Sequence, residues 1–256
     1  MIYKLEIVDI ENSNFDYFGE HPNPEVLNVE FKKGLNVVIG NNGSGKTTLI
    51  NMLAEYTFCT KGSSQATEES VRHLMDFDGH IKDGIIVKNN YNISTYKTIL
   101  NHEKTTEDTL GDFRSFASTF FSKQMSDGQK NLLSIKNVFG DMFNGEKNEF
   151  NKWFLDQKYN DLWGETIEGV KKYITENLVE EDDPIYAVIM DEPDRNLDVE
   201  NIGQLLTIFT NQKPNGQMIV TLHNPILIYK LSKLKDVNFI QLIDKYLDQI
   251  INLIEN

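Results

Sequence analysis

"LNVVIGNNGSGKTTL", residues 35–49, decides the fold. Its first five residues form an almost unbroken apolar run, the pattern of a strand buried on both faces of a mostly parallel sheet. A glycine-rich turn follows, and beyond it Leu49, Met52, Leu53 and Tyr56 recur at i, i+3, i+4 and i+7. That spacing predicts an amphipathic helix beginning near Lys46. Between strand and helix, Gly40, Gly45, Lys46 and Thr47 fit the pattern GxxxxGK[ST] without a mismatch. Glycines let the backbone curl until successive N–H groups point inward at phosphate oxygens, and the helix N-terminus adds the positive end of its dipole. Lys46 is then expected to reach the β- and γ-phosphates, and Thr47 to offer its hydroxyl to Mg²⁺. The ligand-contacting residues expected here are Gly40, Asn41, Asn42, Gly43, Ser44, Gly45, Lys46, Thr47 and Thr48.

Working outward, residues 1–10 and the run "VLNVEF" read as strands. "IYAVIM", residues 185–190, is a second buried strand, "QMIVTL" at 217–222 a third, and "VNFIQLI" at 237–243 a fourth. Strands separated by helices predict an α/β core with a largely parallel sheet. Residues 60–70 are small and polar, as in a surface loop, and the stretch 85–100 around Asn89-Asn90 reads as a hairpin. Residues 60–140 are expected to form a mixed, partly helical subdomain. Within it, Leu132, Ile135 and Phe139 share one face of a helix starting just after "MSDGQ". The tail from 244 places Leu247, Ile250, Ile251 and Ile254 on one helical face. There is no internal repeat, heptad run or low-complexity tract.

Length and composition bound the function. With 256 residues, 39% apolar and 25% charged, the expectation is a single globular domain over 1–256. No apolar stretch approaches the roughly 20 residues needed to span a bilayer. The N-terminal segment lacks the basic and apolar regions of a secretory signal. The single cysteine, Cys59, excludes an intramolecular disulfide and suits a reducing cytoplasm. A formal charge of −14 disfavours a large nucleic-acid footprint, which rests on clustered Lys and Arg. Residues 140–183 carry 12 acidic and 5 basic side chains, a net −7 that is half the total excess, together with Trp153 and Trp163. This acidic insertion reads as a solvated helical excursion or as a partner-docking surface with aromatic anchors.

A nucleotide site needs a hard oxygen ligand for Mg²⁺ near the phosphate loop, and an acid at the end of another buried strand supplies one. "IYAVIMDE" fits: Asp191 is the expected Mg²⁺ residue, and Glu192 the base that polarises the attacking water. "MSDGQK" sets Ser126 and Gly128 at a helix N-terminus, a second anion site by the same physics.

Taken in order, "GNNGSGKT", "MSDGQ", "IYAVIMDEP", "NLD" at 196–198 and "QMIVTLH" resemble the ATP-binding-cassette (ABC) ATPases over residues 1–60 and 120–242. The resemblance implies a P-loop NTPase head with a mostly parallel core sheet, N-terminal antiparallel strands and a helical subdomain. It further implies ATP and Mg²⁺ as ligands, and an ATP-dependent head-to-tail homodimer. In such a dimer Ser126, Gly128 and Gln129 act in trans, Leu197 and Asp198 lie at the seam, and His223 contacts the γ-phosphate. Glu192, His223 and Lys46 are then the catalytic set. The signature normally reads LSGGQ, and here Met125 and Asp127 replace its first and third residues. No glutamine stands between Gln65 and Gln124 to serve as a Q-loop. Phe15, Tyr17 and Phe18 are candidates for stacking on adenine. The spacer between the signature and Asp191 is far longer than in transporter subunits, and "HNP" resembles the "HSP" of soluble members. The chain therefore looks most similar to small stand-alone ABC-type ATPases of bacteria and phage, which work with a separate effector, often in defence. The other readings are a transporter ATPase subunit and a nucleotide-gated binding module with negligible turnover.

Overall fold

The computed structural model describes residues 1–8, 28–57, 74, 81–82, 84–90, 93–97, 132, 135, 164–180, 185–210 and 216–256. Eight strands and five helices are defined among them. In chain order they are β1 (Ile2–Ile7), β2 (Asn28–Glu30), β3 (Gly34–Ile39), α1 (Lys46–Tyr56), β4 (Ile85–Asn89), β5 (Ile93–Lys97), α2 (Gly164–Asn177), β6 (Tyr186–Asp191), α3 (Val199–Thr210), β7 (Gly216–Thr221), α4 (Pro225–Ser232), β8 (Val237–Gln241) and α5 (Tyr246–Glu255). β5-β6-β7-β3-β8 form a five-stranded sheet whose pairs are all parallel, and β2-β1-β4 form an antiparallel sheet. The fold is thus α/β with a parallel core and N-terminal antiparallel strands. Among the described residues no helix is long and apolar enough to cross a membrane.

The three central strands, β6, β7 and β3, are buried almost end to end and largely apolar because both faces are covered. Successive side chains alternate between two cores. Val38, Ala187, Ile189 and Ile219 join Leu49, Met52 and Leu53 of α1 and Leu5 and Val87 of the antiparallel sheet. Val37, Ile39, Val188, Met190 and Val220 face the other way, onto Leu205 and Phe209 of α3 and Leu227 and Leu231 of α4. α1 therefore lies between the two sheets, and α3 and α4 cover the far face.

Two expectations change. Asn89-Asn90 does not close a hairpin: β4 belongs to the antiparallel sheet and β5 to the parallel one, where it pairs with β6. Neither asparagine takes the positive φ that the central residues of a tight type I′ hairpin turn require. Instead the Asn90 amide donates to Ile185 O at 2.9 Å, holding the crossover against the approach to β6. The described part of the acidic insertion is not an excursion. Val170 and Ile174 of α2 are buried in the first core, and the Tyr173 hydroxyl donates to Ile85 O and accepts from Val87 N. Trp153 and Trp163 lie outside the described residues, as do Cys59, Phe139 and the aromatics Phe15, Tyr17 and Phe18. Leu132 and Ile135 are helical and buried, as their spacing predicts. In α5, Ile250 is buried and Leu247 packs against the second core, but Ile254 is exposed at the end of the helix.

Candidate functional site

The loop between β3 and α1 holds its shape through its glycines. Gly43 and Gly45 take φ of 78° and 90°, a region in which L side chains are strained. At Gly40 the constraint is space: a Cβ would meet Ser44 Oγ at 2.5 Å. Ser44 N donates to Asn41 O at 3.1 Å and closes the turn. Lys46 is buried, and its Nζ donates to Gly40 O at 2.8 Å and Asn41 O at 2.9 Å. Burial pushes its amine below the ordinary lysine value, against the attraction of the Glu192, Asp191 and Asp194 carboxylates.

Those acids come from the end of β6 and the turn after it. Asp191 is buried, and its Oδ1 accepts from Thr221 Oγ1 at 2.8 Å. Thr47 Oγ1 lies 3.4 Å from the same oxygen. The Thr221 hydroxyl also accepts from Glu192 N at 2.7 Å, so one side chain of β7 orients both acids. Glu192 has φ of 48°, uncommon for a residue with a Cβ. Its Oε1 is 2.7 Å from His223 Nε2, and its Oε2 accepts from Arg195 Nη1 at 3.2 Å. Asp194 Oδ2 accepts from the backbone N–H groups of His223 and Asn224 at 2.8 and 2.6 Å. Burial pushes the Asp194 carboxyl above the ordinary aspartate value, and these hydrogen bonds oppose the shift.

Lys46 and Thr47 on one side and Glu192, Arg195 and His223 on the other line an open cleft of about 700 Å³. The structure thus brings together Lys46, Thr47, Asp191, Glu192 and His223, and the loop residues Asn42, Gly43, Gly45 and Thr48 line the same cleft. Ser126, Gly128 and Gln129 lie outside the described residues, as do Met125, Asp127, Gln65 and Gln124. Asp198 acts locally, since its Oδ1 accepts from Asn201 N at 2.8 Å and caps α3. Thr221, Asp194 and Arg195 are site residues that motif spacing did not single out. Thr221 leaves a faint signal, a hydroxyl inside an apolar strand two residues before His223.

As a fit for Mg²⁺, the donors are hard oxygens. Thr47 Oγ1 and Asp191 Oδ1 are 3.4 Å apart, against the roughly 3 Å between adjacent ligands of an octahedral Mg²⁺. Two protein oxygens are also what an ion that keeps its waters and substrate phosphates requires.

No curated protein matches the chain. Among solved structures it is similar to a nucleotide-free ATP-binding cassette from an ABC transporter, at 12% identity over 84% of this chain and 80% of that one. The TM-score is 0.29, a likeness too loose to bear on the site. The family model of an AAA domain matches residues 10–255. Since that match takes in both halves of the cleft, the chain belongs to the AAA-domain family, and its nucleotide site is of the P-loop ATPase kind.

Proposed function

We propose that this chain is a Mg²⁺-dependent ATP hydrolase whose ATP-loaded heads pair head to tail and reopen on hydrolysis, as a switch for a separate effector protein. The convergence of Lys46, Thr47, Glu192 and His223 on one cleft, with Asp191 buried against Thr47 beneath it, carries this reading. Lys46 now spends its charge on two loop carbonyls, and a β/γ-phosphate pair is the stronger acceptor for the same amine. Thr47 and Asp191 would hold Mg²⁺, which when bound neutralises charge on the β- and γ-oxygens. Glu192 would take a proton from the attacking water, and the His223 ring, 2.7 Å from its carboxylate, sets that carboxylate's direction. Residues 195–200 are largely exposed, which suits a seam between heads, and Ser126, Gly128 and Gln129 would complete the partner's site.

Phosphate release and light scattering on the purified protein test this together. Wild type should release phosphate from MgATP, and Lys46→Ala should not. Glu192→Gln should bind ATP, lose about 10²- to 10⁴-fold in turnover and become dimeric in MgATP. Undiminished turnover in Glu192→Gln would remove the base from the mechanism, and a variant that stays monomeric would remove the dimer. Wild type that dimerises in MgATP without steady phosphate release would instead be a nucleotide-gated binding module. Proteins retained by tagged Glu192→Gln in MgATP identify the effector; an integral membrane protein there would make the chain a transporter subunit.

A further inference from the structure

We propose that Arg195 is the residue that distinguishes a nucleoside triphosphate from a diphosphate, by exchanging its ion pair with Glu192 for one with the third phosphate. The proposal rests on the nucleotide reading of the cleft. Arg195 sits three residues after Glu192, and its backbone N–H donates to Glu192 O at 3.1 Å, so the turn itself brings the guanidinium to the carboxylate. In this structure both oxygens of Glu192 are engaged, Oε2 by Arg195 and Oε1 by His223. A carboxylate held at both oxygens is poorly placed to accept a proton from water.

The cleft supplies the reason for an exchange. On that reading Lys46 and Thr47 would hold the phosphates from the loop side, with the third phosphate pointing toward the opposite wall, which carries Glu192 and Arg195. A third phosphate entering there meets the Glu192 carboxylate, anion against anion, unless a cation intervenes. Arg195 lines the same cleft, and its side chain is half exposed, so its charge is within reach of an incoming ligand. A single 3.2 Å contact to a guanidinium that is half exposed is weak, whereas a guanidinium fork on a dianionic phosphate is among the stronger charge-assisted contacts. The arrival of the triphosphate would therefore draw Arg195 off Oε2, cancel the repulsion and leave that oxygen open to water. A diphosphate ends short of this point and leaves the pair intact.

Calorimetric titration with Mg·AMP-PNP and MgADP tests the exchange without relying on turnover. Arg195→Ala should weaken the triphosphate analogue by about five- to tenfold and change ADP by less than about twofold. Arg195→Lys, which keeps the charge and loses the fork, should fall between, and it also serves if Arg195→Ala does not fold. Removing Arg195 in a Glu192→Ala background should cost the triphosphate more than it does with Glu192 present, since no ion pair is then given up. Equal weakening of both nucleotides would make Arg195 a scaffold of the turn and overturn the assignment, as would no weakening of either. An Arg195 effect indifferent to Glu192 would overturn the exchange. Wild type that binds neither nucleotide would overturn the reading of the cleft itself, an outcome distinct from wild type that binds both while Arg195→Ala changes nothing.

Discussion

Asp194 shows how much of this site is decided by single side chains that do no chemistry. It is buried behind the turn and uses one oxygen, Oδ2, to hold the backbone N–H groups of His223 and Asn224. Its other oxygen, Oδ1, is buried with no hydrogen-bond partner. A carboxylate so placed is costly in its charged form, and burial outweighs the backbone donors around it to raise its affinity for a proton. The folded state therefore binds the proton more tightly than the unfolded chain, so this residue's contribution is full below 3.8, the unfolded value, and is lost as pH rises through the higher folded value. Asparagine keeps the accepting oxygen and removes the charge. Asp194→Asn is expected to gain thermal stability relative to wild type as the buffer goes from pH 4 to pH 7, with His223 still held. Melting curves of both proteins across that range check it, and a difference independent of pH would place the cost elsewhere.

At the scale of elements, what local sequence declares and what it conceals divide along contact distance. The central strands β3, β6 and β7 were readable because burial on both faces leaves no polar side to alternate with, and α1 because its four apolar positions repeat on one face. Lys46, Asp191, Glu192 and His223 were readable because each stands where a buried strand gives way to a turn or helix. Thr221 was not: its role exists only because β7 pairs with β6 and sets its hydroxyl between residues about thirty positions away. The β4–β5 hairpin failed for the same reason, since the partner of β5 is chosen by the parallel sheet and not by the turn before it. "HNP" was read by resemblance, yet it has a plain local meaning. Asn224 Oδ1 accepts from Ile226 N and Leu227 N at 3.0 Å, with Pro225 beginning α4 where a missing N–H costs nothing. Asn224→Ala should lower stability to urea by about 1 kcal/mol, and Asn224→Ser should retain most of it. An alanine variant as stable as wild type would mean that Pro225 and the packing of Leu227 and Leu231 suffice to start the helix.

For the whole molecule, the nucleotide cleft depends on two sheets keeping their places. Its halves lie 144 residues apart in sequence at the Thr47–Asp191 contact. α1, which begins in the phosphate loop, is packed between the parallel sheet and the antiparallel one. A polar side chain fastens the two sheets at one corner. Gln217 lies near the start of β7, fully buried; its Oε1 accepts from Ile2 N at 2.7 Å, and its Nε2 donates to Ile2 O at 2.7 Å and Lys32 O at 3.0 Å. The pairing of β1 with β4 shifts register between Ile2 and Lys4, and beside that shift Gln217 takes up the backbone groups of Ile2. The amide thus stands in for a strand and carries the hydrogen bonding of β1 onto the parallel core. Gln217→Leu preserves apolar bulk but strands Ile2 N–H, Ile2 C=O and Lys32 C=O, each at about 1–3 kcal/mol where no water can reach. Since Lys32 O also accepts from Asn36 Nδ2 at 2.7 Å, the cost falls mainly on Ile2, and a loss of about 3 kcal/mol in urea unfolding is expected. The denaturation slope should fall as well, because a loosened antiparallel layer unfolds ahead of the parallel core and breaks the single cooperative transition. A variant within about 1 kcal/mol of wild type and with an unchanged slope would show that the apolar contacts of α1 alone hold the sheets together.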